Sequence, residues 1–542
     1  MFALLLLVLV ASGDDTALPT YKNAAAPIAD RVNDLVSRMT VPQKVAQLLH
    51  PWGASTPDEL FATYGATGLG TMYLNWVSNE TTPEAILSER NRLQRLFVEQ
   101  SPFGIPISIV IETLHGGGLG GTLFPMPVNF AATFNVSLAT QAFRLIATDA
   151  RARGAERAFS PVVNMWTDAR YGRLGEGFSE DPYVTTAFAL AIVAAMQGDD
   201  GGSGSGPESY MSRTNDTVLC TVKHFVAYGR GTGGIDGSPA ILSPQLLNEV
   251  YIRPWKALAD AGLLRSVMVG QNMLNGVPMH AHAGLLGPNG TLRQTWGLSR
   301  LLAESDGSDC IGALVDFRVA ATPEDAAVLS VTAGVDVDLG GVTLPLLVNA
   351  SAAGKLPAAA LDRAVSDVLT AKFSSGLFDS PYSDPGALNP STLDPPASRA
   401  LAREAATQSI ALLMNVNGTL PLTFAAKHVA ILGLCANSSD ALKGGYAQDG
   451  QMMVTVLDAF VSALGAASVS YAVGADPDAT VANETRISEA VTLAAGCDVA
   501  VLVLGECVPL RSRPRSHAYF GAHPHLPLYQ LSHLVRGNVR HG

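Results

Sequence analysis

The sequence predicts an α/β protein: a TIM-type (β/α)8 barrel followed by a second, shorter α/β unit. Three observations carry this. Short apolar runs rich in β-branched residues, the pattern of strands buried on both faces, alternate with amphipathic helical stretches over some 350 residues. Each run stops abruptly in polar residues, as strands of a barrel do where they reach the rim that carries chemistry. The composition then turns proline-rich near residue 380, and the α/β alternation resumes on a smaller scale.

The elements follow in chain order. RVNDLVSRMTVPQKVAQL opens the first unit with helical periodicity, and Thr40 with Gln43 has the spacing of a capping box. ISIVI runs into Glu112, FSPVVNM into the charged loop TDARYGRLGEGFSEDP, and TVLCTV into Lys223 and His224. RSVMVG leads to Gln271 and Asn272, and GVDVDL carries Asp336 and Asp338. The run GDDGGSGSGPES reads as a loop insertion in this unit. Prolines at 381, 385, 390, 395 and 396 mark an expected linker of polyproline character over 379–400. Beyond it, REAATQSIALLMN is expected as a helix, and HVAILGL and DVAVLVLGE as strands.

Composition narrows the partners. With 542 residues, 48% of them apolar, the chain suits two or three globular domains. A net charge of -12 argues against nucleic acid or an anionic membrane surface as partner and favours a neutral ligand. MFALLLLVLVASG is a signal-peptide core over residues 1–13, too short to span a bilayer. Eight Asn-X-Ser/Thr sequons, at Asn79, Asn135, Asn215, Asn289, Asn349, Asn417, Asn437 and Asn483, join it in predicting a secreted or lumenal glycoprotein that leaves the membrane once the signal is cleaved. The five cysteines lack metal-ligand spacing, and nothing points to a metal or organic cofactor.

Several of these segments together resemble glycoside hydrolase family 3. ETLHGG, FSPVVNMWTDARYGRLGEGFSEDP, VKHFVAYG, NGVPMHAH and ATPEDAA…AGVDVDL occur in that family's order, and ETLHGG is similar to its β-xylosidase branch. The resemblance implies a barrel domain over 28–378 and an incomplete α/β sandwich domain over 401–507. It also implies retaining hydrolysis of β-linked cell-wall oligosaccharides by a β-xylosidase or β-glucosidase. Glu112, Arg173, Lys223 and His224 fall on sugar-binding positions. Gln271 falls on a position that the family fills with tyrosine. KHFVAYG lacks the histidine of the N-acetylglucosaminidase branch, and GRGTGGIDG lacks the features of a phosphate loop.

The resemblance implies that the nucleophile is an aspartate after an apolar strand, and two SD pairs compete for the role. Asp306 follows LLA and has the better spacing to ATPEDA, so it is the expected nucleophile. Asp309 keeps the branch's SDC tripeptide and stays open as the alternative. Glu304 stands where the family is usually apolar, which is expected to weaken the strand.

Residues 508–542 hold five Arg and five His but no Asp, Glu or Lys, a break expected of a truncated or frame-disrupted end rather than of the family. The acidic loop that would carry the general acid is not recognisable there. Since such an acid is worth about 10² to 10⁴-fold, two readings stay open: a glycosidase, and a carbohydrate-binding pseudo-enzyme.

Overall fold

The structure, a computed structural model, describes residues 18–77, 80–198, 216–422, 427–448, 450–475 and 483–505. The expected signal peptide, the Gly/Ser insertion from Asp199 on, Asn79, Asn215 and the segment 508–542 lie outside the described residues.

Eight parallel strands form the first unit: β1 (Leu49–Pro51), β2 (Thr71–Tyr73), β3 (Ser108–Ile111), β4 (Arg157–Ala158), β5 (Leu219–Phe225), β6 (Ser266–Val269), β7 (Leu302–Glu304) and β8 (Asp338–Gly340). β2 to β7 make one continuous sheet, and β8 pairs with β1. The ring is drawn together by a parallel bridge from Glu304 to Val337 between β7 and β8. On the other side, Gly70 N donates to Ala46 O at 2.9 Å just before β2 and β1. The TIM-type barrel expected from the alternation is therefore present.

Helices α1 (Ile28–Arg38) and α2 (Val41–Ala46) precede β1, and the Thr40–Gln43 capping box forms as the spacing predicts. Outer helices α3 (Pro57–Tyr64), α4 (Pro83–Gln100), α5 (Val136–Ala152), α6 (Pro182–Gln197), α7 (Arg253–Asp260), α8 (Pro323–Ala333) and α9 (Ala358–Ser374) bury their apolar faces against the barrel. α9 also closes the barrel's N-terminal end. Its buried Lys372 Nζ donates to Gln47 Oε1 and to Pro106 O, each at 2.8 Å.

Four local expectations need correction. FSPVVNM is not itself the fourth strand: β4 ends at Ala158, and the segment rejoins the sheet only through a bridge from Val162 to Lys223. The proline-rich stretch is helical in part, with turns at Pro385–Ala387 and Pro390–Leu393 and helix α10 (Pro396–Gln408). Proline's fixed φ and missing N–H suit the first turn of a helix as well as an extended linker. The helix expected through SIALLMN stops at Gln408, leaving Ile410, Leu412, Leu413 and Met414 exposed.

The fourth correction concerns Glu304, which does not weaken its strand. It is fully buried on β7, and its carboxylate meets His50 Nδ1 at 2.7 Å and Arg157 at 2.9 Å. His50 and Arg157 lie on β1 and β4, so the charge is met from across the barrel interior. Burial alone would raise the Glu304 pKa, but Arg157 and His50 outweigh it and hold the carboxyl below its ordinary range.

The second unit holds a parallel three-stranded sheet in the order β10 (Val469–Ala472), β9 (Val429–Leu432), β11 (Val499–Leu502). Helices α11 (Val456–Leu464) and α12 (Glu484–Ala495) accompany it. Its loop 444–448 reaches the barrel's C-terminal rim, where Asn75 Nδ2 donates to Gln448 Oε1 at 2.8 Å.

Candidate active site

Glu112 follows β3 directly, Gln271 lies two residues beyond β6, and Asp306 lies two beyond β7. Lys223 and His224 lie within β5, where neighbours ordinarily face opposite sides of the sheet. A register irregularity between Lys223 and Phe225 breaks that alternation, as bulges beside functional sites often do. Lys223 Nζ then donates to Glu112 Oε2 at 2.6 Å, while His224 Nε2 lies 3.7 Å from Asp306 Oδ2.

Arg173 sits between two 3-10 turns in the loop after β4. It donates in bidentate fashion to Glu176, at 2.9 and 2.7 Å, and to Tyr228 Oη at 3.2 Å. Glu176 holds the guanidinium while its outer edge faces His224, 3.4 Å away. Asp181, in the same loop, is a helix cap that accepts from Tyr183 N and Val184 N.

A hydrogen-bond chain sets the His224 tautomer. Asn164 Oδ1 accepts from His224 N at 2.9 Å, which turns the Asn164 amide nitrogen toward His224 Nδ1 at 3.0 Å. Nδ1 is then an acceptor, so the neutral ring carries its proton on Nε2, facing Asp306. Burial, with Arg173 and Lys223 nearby, pushes the His224 pKa well below the imidazole range and keeps the ring neutral.

The two aspartates separate clearly. Asp306 Oδ1 accepts from Gly307 N at 2.7 Å, and Oδ2 has no hydrogen-bond partner among the described residues. Burial raises its pKa, opposed by Arg173, the Gly307 N–H, Lys223 and the Gln271 side chain. Asp309 instead accepts from Thr343 Oγ1 at 2.6 Å and from Gly312 N at 3.1 Å, which ties it to the following turn. Glu112 Oε1 has no hydrogen-bond partner among the described residues, and burial pushes its carboxyl up to about 7 against the pull of Lys223.

Three contributors escaped the sequence. Tyr446 comes from the second unit: its hydroxyl lies 3.4 Å from Arg173, and Lys223 Nζ stands 4.8 Å from its ring centroid. Tyr73 accepts from Glu112 N at 3.2 Å. Trp52, 61% exposed, leans on Trp76 with ring centroids 4.6 Å apart, and Trp76 on Tyr73 at 4.9 Å. Trp52 comes so close to Gly307 that a side chain there would meet its ring at 3.0 Å, so the glycine lets an aromatic surface lie beside Asp306. An isolated aromatic residue carries no periodic signal, and only alignment with the rim reveals these.

A parallel barrel whose C-terminal rim gathers buried carboxylates, fixed cations and aromatic rings, with a second α/β unit reaching over it, defines a barrel protein of the glycoside hydrolase type. Residues 40–371 match the glycosyl hydrolase family 3 N terminal domain, and 410–518 match its C-terminal domain. The chain belongs to glycoside hydrolase family 3.

It is 32% identical over 509 residues to a periplasmic beta-glucosidase of Salmonella typhimurium, covering 88% of this chain and 62% of that protein. It is 30% identical over 503 residues to a putative beta-xylosidase of Formosa agariphila, covering 90% and 63%. The chain thus spans just under two thirds of the length of these relatives. Among solved structures, a β-glucosidase from Erythrobacter marinus superposes with a TM-score of 0.80 at 31% identity, covering 90% of this chain and 67% of the other. A Listeria innocua β-glucosidase in complex with isofagomine superposes at 0.75 and 25% identity, covering 88% and 64%.

Proposed function

We propose that the protein is a retaining exo-β-glycosidase acting on β-linked cell-wall oligosaccharides, of β-xylosidase or β-glucosidase type. The observation that carries this reading is Asp306 Oδ2, a buried carboxylate oxygen with no hydrogen-bond partner among the described residues, flanked by His224 and held in place through Gly307. In the proposed reaction Asp306 attacks the anomeric carbon, the glycosidic oxygen leaves with the bonding electron pair and takes a proton from solvent, and a sugar ester forms on Oδ2. Water then attacks the same carbon, the Asp306 carboxylate leaves with the electron pair of the ester bond, a proton returns to solvent, and the two inversions give retention. Glu112 Oε1 and Lys223 bind sugar hydroxyls. Arg173 helps to keep Asp306 ionised, and with the His224 Nε2–H it offers donors to sugar hydroxyls; the positive charge that develops at the ring is met by the Asp306 carboxylate itself. Gln271 takes the place of the family's tyrosine and offers an amide beside Asp306 in its stead.

A secreted or lumenal glycoprotein accords with the sequons: Asn289, Asn349, Asn417 and Asn437 are exposed. Asn135 and Asn483 serve as helix caps, accepting from Leu138 N and Arg486 N. Among the described residues, no helix is long and apolar enough to cross a membrane.

The second reading, a carbohydrate-binding protein without turnover, is favoured by Gln271 in place of the tyrosine. An activated aryl β-xyloside or β-glucoside, whose leaving group needs little protonation, separates the two. The glycosidase reading expects a mass increase of one sugar, lost in Asp306→Asn and kept in Asp309→Asn. No adduct and no release with any sugar tried, alongside retained sugar binding, would establish the binding-only reading.

A further inference from the structure

His115 joins the two units through an arrangement that the proposed chemistry does not use. It is 2% exposed, three residues beyond Glu112, and both ring nitrogens face carbonyl oxygens. Nδ1 lies 2.7 Å from Phe124 O, within its own loop, and Nε2 lies 2.9 Å from Gly445 O, in the second unit. Phe124 N donates back to His115 O at 2.9 Å, which pins the histidine backbone to that loop.

A neutral imidazole carries one N–H and so bonds one carbonyl, leaving a nitrogen lone pair against the other oxygen. An imidazolium donates to both. Gly445 precedes Tyr446, the second unit's contribution to the site, so whatever fixes the Gly445 carbonyl also fixes how Tyr446 lies over Lys223 and against Arg173.

We propose that His115 is a positioning residue that latches loop 444–448 onto the barrel, with both hydrogen bonds made only by the imidazolium, so that acid closes Tyr446 over the site and neutral pH loosens it.

The charged surroundings bear on where the change falls. Burial lowers the His115 pKa, while the Phe124 and Gly445 carbonyls and the Glu176 carboxylate oppose it. Glu176 is held by Arg173, and Glu112 by Lys223. Behind Gly117 and Gly121 lies the Asp149–Arg153 pair, bonded at 2.8 Å. Loop 444–448 carries no charge at neutral pH, and Lys443 before it pairs with Asp440. With the pKa below its ordinary value, the doubly bonded latch forms as pH falls beneath the usual imidazole range.

Hydrogen exchange tests this without turnover, so its outcome is separate from that of the proposed reaction. Deuterium uptake of the 444–448 segment, corrected for intrinsic exchange, is compared at pH 4.5 and 7.5. One additional charge-assisted bond should slow opening about tenfold at the acid pH. His115→Gln keeps one donor and cannot take a proton, so its uptake should not depend on pH. Equal uptake of the wild-type loop at the two pH values overturns the latch, and that comparison stands even if the variant does not fold. A pH dependence that persists in His115→Gln overturns it as well.

Discussion

His224 and Asp306 face each other at 3.7 Å although 82 residues separate them in the chain, and the proton on the histidine is directed by Asn164. Removing Asn164 should therefore damage the site without touching either residue. Asn164→Ala frees the ring to turn, and misplacement of this kind costs about 10²-fold in rate. Steady-state kinetics should show the loss in kcat, with the thermal midpoint little changed. An unchanged kcat would mean that the ring is held by other contacts.

Trp52, 61% exposed, lies against Gly307 next to Asp306 and rests on the half-buried Trp76, an aromatic surface suited to the flat, less polar face of a leaving sugar. Trp52→Ala should raise KM about tenfold for a disaccharide, in keeping with the loss of one aromatic contact. A methyl glycoside, which lacks the second ring, should be little affected. An equal effect on both substrates would place the ring elsewhere.

The buried Glu304 charge is met by Arg157 and His50. Breaking one side of such a buried pair costs about 3–5 kcal/mol because the other charge is left unpaired. Glu304→Leu and Arg157→Leu should each lower the denaturant midpoint markedly. The double variant should lose less than the sum of the two, since neither charge then stays uncompensated. Additive losses would show that the pair is not coupled.

His280 is buried, and desolvation pushes its pKa down to about 3. Between that value and the unfolded value of about 6.5, the unfolded chain binds the extra proton, so this contribution is full above pH 6.5 and is lost as pH falls toward 3. By pH 5 the loss amounts to about 2 kcal/mol. His280→Leu should flatten the fall in thermal midpoint between pH 7 and 5. A variant that follows the wild-type slope would show that other groups govern acid unfolding.

The sequence by itself determined the alternation of strands and helices, the Thr40–Gln43 cap, and polar residues at the ends of apolar runs, including Glu112, Lys223 and Asp306. These are legible because helix and strand periodicity, capping and strand termination are local properties of neighbouring residues. Only the tertiary structure decided which side chains meet. Spacing favours Asp306 over Asp309, but the bonds that occupy Asp309, to Thr343 and Gly312, depend on how the chain turns after β7. Glu304 looked like a flaw in an apolar strand because its partners, on β1 and β4, are brought to it only by barrel closure. Tyr446 and the Gly445 carbonyl carry no local signal at all, since their roles arise from a second unit docking on the rim. Side-chain direction in a closed barrel is fixed by register and closure, and these are summed over the whole ring rather than written in any one segment.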